Sequence, residues 1–508
     1  MTVSDDGQER ATRLGQLRKA KAALLDEARP KTVKRQADRN VATVRSVISE
    51  LFDTDSFVEL GGLASPAVAG MEGAGDGVVM GFGRVGGAPA DFFAYDYSVY
   101  AGTQSTINHR KVTRIIQHAA ANGRPLLCWL DGGGARPHDM LVEGRGPTST
   151  FVDFARLSGV VPRIGVVPGV AFAGQANLAG MCDILIATRN SVLGLAGPPL
   201  VEAAMGQKMT PQEIGGVEKH VKSGVVDLLV EDSQEAIRLA RQVLGYFASP
   251  EQPVESPDAT ELRGIVPDSP RRAYDVRRVV QGIVDKESML ELKPLWGRSI
   301  VTCLARLNGR TVGVLANQPM MMAGGIDAAS AAKAARFIQI CDAFDFPVVL
   351  LCDTPGLLVG PDVEETGLVR HSARMLTALA TSTVPILTVV LRKAYGLGYY
   401  IMGSAAFQPD LLVAWPTAEF GGMGLEGAVN IIHRRELDAT PSADERKALH
   451  GARTEELRRA NTVFAAAERF QIDDVIDPAD TRALLIAALA HRGSQRSDKR
   501  TRRIIDAF

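Results

Sequence analysis

The sequence predicts an α/β protein made of two related domains. Residues 384–403 are an aliphatic, β-branched run, followed by a glycine-containing turn and then an apolar segment. Such a run is typical of a strand covered on both faces, and the segment after the turn is typical of a helix start. The same order begins 223 positions earlier, at residue 161. At 508 residues the chain is also too long for one hydrophobic core.

Composition and charge favour a globular protein without a strongly charged binding surface. Hydrophobic residues make up 46% and charged residues 23%, and the formal net charge is −1. This balance gives no electrostatic reason to expect nucleic acid or an anionic membrane as a partner. No apolar run approaches the roughly 20 residues of a membrane span. The first residues lack the apolar core of a signal peptide, so we expect a cytoplasmic protein.

The cysteines predict neither a disulfide framework nor a zinc ribbon, because all lie in apolar surroundings and none forms a C-x-x-C pair. No metal is expected in this chain. The five cysteines are Cys128, Cys182, Cys303, Cys341 and Cys352.

Three segments are expected along the chain. Residues 1–40 are charged and helix-prone, which predicts an N-terminal helical arm. Residues 41–260 and 261–508 are the two predicted domains. The stretch that begins at Ser249 is rich in proline, serine and charge, a composition typical of linkers.

The first predicted domain begins with strands separated by glycine turns. Its G-x-G-x-x-G pattern at residues 81–86 runs into another strand-like segment, so it predicts a hairpin and not a dinucleotide site. Residues 103–122 predict an amphipathic helix. Its basic residues are either solvated or in contact with a phosphate; they are Arg110, Lys111 and Arg114.

A buried strand follows and ends at Asp131, just before the glycine run Gly132-Gly133-Gly134. Ligands in open α/β sheets gather beyond strand ends of this kind. His220, with Ser223-Gly224, could contact a substrate, but a lone histidine more often has a structural role.

The second half repeats the first half. The sequence SFVEL at residues 56–60 returns as SMLEL at 288–292, and WLD at 129–131 returns as LCD at 351–353. The spacing between matching segments varies from 222 to 232, as expected from insertions in surface loops. Each half therefore follows the same supersecondary plan.

Each half also carries a turn suited to holding a negative oxygen. Ala173-Gly174 and Gly396-Leu397-Gly398 both follow a strand and begin an apolar, helix-like segment. The first N–H groups of a helix have no partner within it, and such donors stabilise an oxygen that becomes negative during a reaction. A tight turn that needs glycine for positive φ is the alternative. The presence of two copies favours two oxyanion sites.

With these motifs in order, the chain resembles the carboxyltransferase (β) subunits of biotin-dependent acyl-CoA carboxylases. In the second half the resemblance is carried by residues 312–356, RKAYGLGYYIMG at 392–403, 411–429 and 475–482. In the first half it is carried by GDGVVMGFGRVGG, DGGGAR and GVAFAG. The resemblance covers roughly residues 40–492.

The resemblance implies two tandem crotonase-like domains, of which the first binds acyl-CoA and the second binds carboxybiotin. It implies a pocket between the first domain of one subunit and the second domain of its partner, in a homo-hexamer. The amides of Ala173 and Gly174 would hold the enolate, and those of Leu397 and Gly398, positioned by Gly396, would hold the ureido oxygen of biotin. The biotin nitrogen would take the α-proton, so no protein base is needed. The expected substrate-binding residues are Gly133, Gly134, Ala135, Arg136, Tyr400 and Lys111.

The chain departs from the family pattern at both turns. The first usually carries Gly-Gly where this chain has Ala173-Gly174, and the second usually has Gly-Gly-Ala where it has Gly396-Leu397-Gly398. An amide survives both changes, but the added side chains would reshape the pocket. Tyr400 occupies the position that helps to select acyl length in relatives, and residues 354–371 are closer to the long-chain or broad-range members.

The expected partners follow from motifs that the sequence lacks. It has neither the Ala-Met-Lys-Met biotinylation motif nor a glycine-rich ATP-grasp region. A biotin carboxyl carrier protein and a biotin carboxylase subunit are therefore expected as separate partners, with biotin as the cofactor. A biotin-independent crotonase-type hydratase or decarboxylase, and a non-catalytic scaffold subunit, remain the alternatives.

Overall fold

The computed structural model describes residues 3–141, 148–248, 255–269, 272–491 and 503–506. The chain folds as two compact units, Met1–Ser249 and Pro250–Asp506. The predicted arm of residues 1–40 belongs to the first unit, and its described part contains the helices Val3–Ala22 and Pro30–Asp38. The domain boundary at residue 260 and the role assigned to each domain stay predictions.

Unit 1, as we call Met1–Ser249, mixes helices and strands throughout. Its helices are α1 Val3–Ala22, α2 Pro30–Asp38, α3 Val44–Leu51, α4 Thr106–Asn122, α5 Thr150–Ala155, α6 Gly174–Gly180, α7 Pro198–Met205, α8 Pro211–Gly215, α9 Val217–Lys222 and α10 Ser233–Tyr246. Its strands are β1 Val58–Leu60, β2 Val78–Val85, β3 Ala88–Tyr95, β4 Leu126–Trp129, β5 Arg163–Val167, β6 Val170–Phe172, β7 Ile184–Thr188, β8 Val192–Gly194 and β9 Leu228–Val230.

Unit 2, as we call Pro250–Asp506, contains the same kinds of element with more helices near its end. Its helices are α11 Val276–Ile283, α12 Ala328–Ala343, α13 Pro361–Glu364, α14 Leu368–Ala380, α15 Gly396–Ile401, α16 Leu425–Ile432, α17 Arg434–Ala439, α18 Ala443–Ala460, α19 Val463–Glu468 and α20 Thr481–His491. Its strands are β10 Leu290–Leu292, β11 Ile300–Leu307, β12 Arg310–Asn317, β13 Val348–Thr354, β14 Ile386–Tyr395, β15 Leu411–Ala414, β16 Glu419–Gly421 and β17 Asp474–Val475.

The main sheets of the two units have the same topology. Within the described residues, the strand order is β1-β2-β3-β4-β5-β7-β9 in unit 1 and β10-β11-β12-β13-β14-β15-β17 in unit 2. In both, the first two pairings are antiparallel and the rest are parallel. The predicted internal duplication is therefore confirmed.

Local sequence explains where the long helices begin and end. The Ser105 side chain accepts from the Asn108 N–H and the Asn108 side chain accepts in return, which forms a capping box at the start of α4. Gly123, with φ of 61°, ends the same helix in the left-handed conformation. In unit 2 the Asp327 side chain caps α12. The helix predicted at residues 103–122 is confirmed as α4, and the 81–86 pattern is confirmed as part of the β2–β3 hairpin.

The two predicted strand–turn–helix segments differ in one detail. β14 runs without a break from Ile386 to Tyr395, and its end pairs with β16. In unit 1 the equivalent strand is divided at Pro168-Gly169 into β5 and β6, and β6 pairs with β8 in a separate two-stranded sheet. Both paths end at a turn that begins a short helix, α6 or α15.

Candidate active site

The first turn joins β6 to α6 through Ala173. This residue has φ of 51° and ψ of −114°, a conformation that favours glycine. Its N–H donates to the Gly194 carbonyl at 2.9 Å, so Ala173 cannot serve as the oxyanion donor expected from the sequence. The N–H of Gly174, the first residue of α6, makes no hydrogen bond within the described chain. Gly174 therefore supplies the free amide at this turn.

The glycine run of unit 1 lies beside this turn. The Gly132 N–H donates to the Val170 carbonyl at 2.6 Å, and the Phe172 N–H donates to the Gly132 carbonyl at 3.1 Å. A Cβ placed on Gly134, whose φ is 92°, would lie 3.2 Å from the Ala173 Cβ. The next amide, that of Ala135, makes no hydrogen bond in the described part of the chain. Two free amides, of Gly174 and Ala135, thus come from adjoining segments.

Two glutamines that the sequence analysis missed hold these segments together. The fully buried Gln175 side chain accepts from the Gly134 N–H at 3.1 Å and donates to the Gly102 carbonyl at 2.8 Å. The Gln104 side chain lies over Gly174, where an added Cβ would meet its Oε1 at 2.0 Å. No sequence pattern distinguishes a buried glutamine that joins two segments from a glutamine exposed at the surface.

The second turn joins β14 to α15 through Gly396, which has φ of 56°. The N–H groups of Leu397 and Gly398 make no hydrogen bond within the described residues, as predicted for the start of a helix. The Leu397 side chain is 49% exposed. A Cβ on Gly398 would lie only 2.5 Å from the Gly356 Cα and 3.2 Å from the Leu357 nitrogen, so two backbones meet here directly.

The segments beside the two turns are held by the same short ladder. In unit 1 the Gln104 N–H donates to Gly134 at 2.7 Å and the Arg136 N–H donates to Gln104 at 2.8 Å. In unit 2 the Ile326 N–H donates to Gly356 at 3.1 Å and the Leu358 N–H donates to Ile326 at 3.0 Å. In each ladder the intervening amide, of Ala135 or Leu357, is left without a partner in the described chain. The free amides therefore belong to the duplicated plan.

An additional network fixes the residue before the second turn. The Tyr395 hydroxyl donates to the Glu419 carboxylate, which also accepts from Arg458 Nε at 3.2 Å. Because Glu419 lies in β16 and Arg458 in α18, the network ties the end of β14 to two elements far along the chain. Burial raises the pKa of the Tyr395 hydroxyl, which keeps it protonated as the donor.

Comparison with known proteins assigns this arrangement to a family. The model of the carboxyl transferase domain matches residues 35–505. The chain belongs to the carboxyl transferase domain family. Family membership, which the sequence motifs predicted, is thereby confirmed.

Curated members of the carboxyl transferase domain family match along nearly the whole chain. The methylmalonyl-CoA carboxyltransferase 12S subunit of Propionibacterium freudenreichii subsp. shermanii is 37% identical over 504 residues, covering 96% of this chain and 95% of the relative. The biotin-dependent long chain acyl-coenzyme A carboxylase beta4 subunit of Mycobacterium tuberculosis is 34% identical over 492 residues, covering 94% and 93%.

Solved structures of the family also match closely. A transcarboxylase 12S crystal structure, described as a hexamer assembly with methylmalonyl-coenzyme A and methylmalonic acid bound, has a TM-score of 0.88 at 36% identity and covers 96% of both chains. A single-chain, multi-domain long-chain acyl-CoA carboxylase has a TM-score of 0.88 at 39% identity, and this chain covers 48% of it. The predicted α/β fold of tandem crotonase-like domains is confirmed by these matches.

Two basic residues expected to bind substrate in this family member are instead structural. Lys111 is buried and donates to the carbonyls of Gly75, at 2.8 Å, and Val78. Burial lowers its pKa to about 8. Arg136 is also buried and pairs with Asp76 at 2.5 Å. Neither side chain is available to a CoA phosphate in this arrangement, so both predictions are corrected.

The duplication extends to the buried lysine. Lys333 in α12 donates to the carbonyls of Lys293, at 2.9 Å, and Ile300, at 2.8 Å. Burial lowers its pKa to about 7. Repetition of the same lysine in both units supports a structural role at the start of β2 and of β11.

Three other residues considered from the sequence as substrate contacts are Tyr400, Gly133 and His220. Tyr400 is 42% exposed, and its ring meets the edge of Phe407 at 5.4 Å between centroids. Gly133 is exposed and donates its N–H to the Ala101 carbonyl at 2.9 Å. His220 Nε2 lies 2.8 Å from the Leu193 carbonyl, a contact within the fold that agrees with the structural role considered for this histidine.

No group of three or more metal-ligating side chains is found in the described residues. Among the described helices, none is both long and apolar enough to cross a bilayer.

Proposed function

We propose that this chain is the carboxyltransferase component of a biotin-dependent acyl-CoA carboxylase. It would move a carboxyl group between biotin, held on a separate carrier protein, and the α-carbon of an acyl-CoA. The observation that carries this proposal is the pair of strand–turn–helix segments, each of which offers an unpaired amide beside a second unpaired amide. Membership in the carboxyl transferase domain family and the names of its relatives support it.

The first turn suits the acyl-CoA half of the reaction. Removing a proton α to a thioester places negative charge on the thioester oxygen. The Gly174 N–H, with the positive end of α6 behind it, and the Ala135 N–H would donate to that oxygen. The close approach of Gly134 to Ala173, where an added Cβ would lie 3.2 Å from the Ala173 Cβ, supports a shared position for the two amides.

The second turn suits the biotin half. Biotin would supply the carboxyl group and accept the α-proton. The amides of Leu397, Gly398 and Leu357 would donate to its ureido oxygen, whose negative charge grows as the carboxyl group leaves. Main-chain donors fit a neutral, planar ureido group, because they offer hydrogen bonds without a fixed charge. Gly396 allows the turn, and Leu397 and Tyr400 would border the pocket.

The proposal extends to the assembly. A biotin carboxyl carrier protein and a biotin carboxylase subunit would be its partners, and the chain would form a hexamer, as described for the transcarboxylase 12S structure. We propose a cytoplasmic location. Acyl chain length is left to the experiment.

Reconstitution tests the function directly. The purified chain is combined with a biotinylated carrier, biotin carboxylase, ATP, labelled bicarbonate and a panel of acyl-CoA thioesters from acetyl to palmitoyl. We expect label in an α-carboxylated acyl-CoA, dependent on the carrier. Formation of the complex without turnover on any thioester would favour a scaffold subunit, and hydration or decarboxylation without the carrier would favour biotin-independent crotonase chemistry.

A further inference from the structure

A buried carboxylate joins the two segments that form the first turn. Asp131, 1% exposed, follows β4 and immediately precedes the glycine run. Its Oδ1 accepts from the Val170 N–H, at the start of β6, at 3.0 Å. β6 is three residues long and is followed directly by Ala173 and Gly174. The carboxylate therefore sets the separation between the segment that carries Ala135 and the strand that aims the Gly174 amide.

An arginine from the N-terminal arm holds this carboxylate. Arg39 Nη2 donates to Asp131 Oδ1 at 2.8 Å, and Arg39 Nη1 donates to Oδ2 at 2.9 Å. A bidentate pair of this kind fixes both distance and plane. The guanidinium is fixed further by Gln36 Oε1, at 2.7 Å, and by the Tyr97 ring, whose centroid is 3.5 Å from its central carbon.

The chain leaves room for this pair at Gly169. A Cβ there would lie 2.6 Å from both Arg39 Nη2 and Asp131 Oδ1. Gly169 has no positive φ that would otherwise require glycine. The absence of a side chain at this position is thus explained by the pair that packs against it.

Unit 2 contains the same carboxylate with a different arginine. Asp353 Oδ1 accepts from the Lys393 N–H at 3.2 Å, and Asp353 Oδ2 accepts from Arg392 Nε at 3.1 Å. Asp353 and Lys393 follow Asp131 and Val170 by 222 and 223 positions, so the carboxylate and amide are equivalent in the duplication. The arginine is not equivalent, because Arg392 belongs to β14 itself whereas Arg39 follows α2, before α3.

We propose that Arg39 and Asp131 are positioning residues for the acyl-CoA half of the reaction. This proposal rests on the proposed function. The pair touches no free amide itself; it acts through β6 and the glycine run on the direction of the Gly174 and Ala135 amides. The N-terminal arm is then part of the machinery of unit 1.

The test uses the full chain in the reconstituted complex, with the acyl-CoA that the wild type carboxylates fastest. The variants are Arg39→Ala, which removes the pair, Arg39→Lys, which keeps the charge but not the two-point contact, and Gly169→Ala, which adds a methyl group against it. Arg189→Ala is the matched control, because Arg189 forms a similar double contact with Glu231 at the exposed surface of the same unit.

We expect kcat to fall roughly 10- to 100-fold in the three test variants, as for a misplacement of about 1 Å, with KM for the acyl-CoA changed less than about threefold. The control should match the wild type. Millimolar methylguanidinium should restore part of the kcat of Arg39→Ala, which a general loss of stability would not allow.

Folding is checked by thermal unfolding, and rates are given per folded enzyme. Should Arg39→Ala fail to fold, Arg39→Lys and Gly169→Ala decide the question. A kcat within about twofold of wild type in folded Arg39→Lys and Gly169→Ala would overturn the positioning role, as would a change confined to KM. A wild-type complex with no carboxylation of any thioester would instead overturn the proposed function.

Discussion

Adding a methyl group at Gly398 tests whether the close approach of two backbone segments is needed at the second turn. In Gly398→Ala the new Cβ would lie 2.5 Å from the Gly356 Cα and 3.2 Å from the Leu357 nitrogen. Carbon atoms pack at roughly 3.5–4.0 Å, so the segments must separate by about 1 Å. A displacement of that size costs roughly 100-fold in rate. We therefore expect carboxyl transfer to fall about 100-fold, equivalent to about 2.7 kcal/mol of transition-state stabilisation.

The assay is the initial rate of label incorporation in the reconstituted complex, with thermal unfolding measured on the same samples. Gly427→Ala is the matched control, because Gly427 lies in α16 with no described atom outside the backbone of its own helix within 4 Å of an added Cβ. Alanine should there leave the rate unchanged and favour the helix. A folded Gly398→Ala enzyme with the wild-type rate would refute the role given to this contact.

Two further predictions concern stability. Ala173→Gly should raise the thermal midpoint of unfolding by about 2–4 °C. The change relieves roughly 1–3 kcal/mol of backbone strain at φ of 51°, which outweighs the roughly 0.4–1 kcal/mol lost because glycine gives the unfolded chain more conformational entropy. An unchanged or lower midpoint would show that Ala173 is not strained. For Lys333, burial lowers the pKa from 10.5 to about 7, so in that window the unfolded chain binds more protons and stability rises with pH. The free energy of unfolding, measured by denaturant titration, should rise with pH by up to about 1.4 kcal/mol per pH unit more in the wild type than in Lys333→Met. If the free energies of the two proteins change with pH in parallel, the lowered pKa of Lys333 is refuted.

The strand–turn–helix segments could be predicted because their evidence is local. The aliphatic run before Gly396 is long enough to require burial on both faces, and the glycine turn after it determines where the strand must end. The same pattern begins at residue 161, so it predicted a second strand–turn–helix segment in the first half of the chain. The motifs that carry the family resemblance are local for the same reason.

The roles of Lys111 and Arg136 could not be predicted in this way. An amphipathic pattern shows that a helix has a polar face, but not whether a long basic side chain on it turns back towards a strand end. Lys111 does so because the carbonyls of Gly75 and Val78 lie within its reach. These carbonyls are more than 30 positions away in sequence, and their location depends on how α4 packs on the sheet.

The sequence by itself determined the two strand–turn–helix segments, the helix at residues 103–122, the hairpin at residues 81–86, the duplication and the family. Hydrophobic period, glycine placement and repeated motifs all act over short stretches of chain. Only the tertiary structure decided which amides remain free. The Ala173 N–H donates to Gly194, whereas the Ala135 N–H has no partner among the residues that the structure describes. The contact of Arg39 with Asp131 spans 92 positions. Hydrogen bonds between distant segments exist only once the sheet has formed, so no local pattern can specify them.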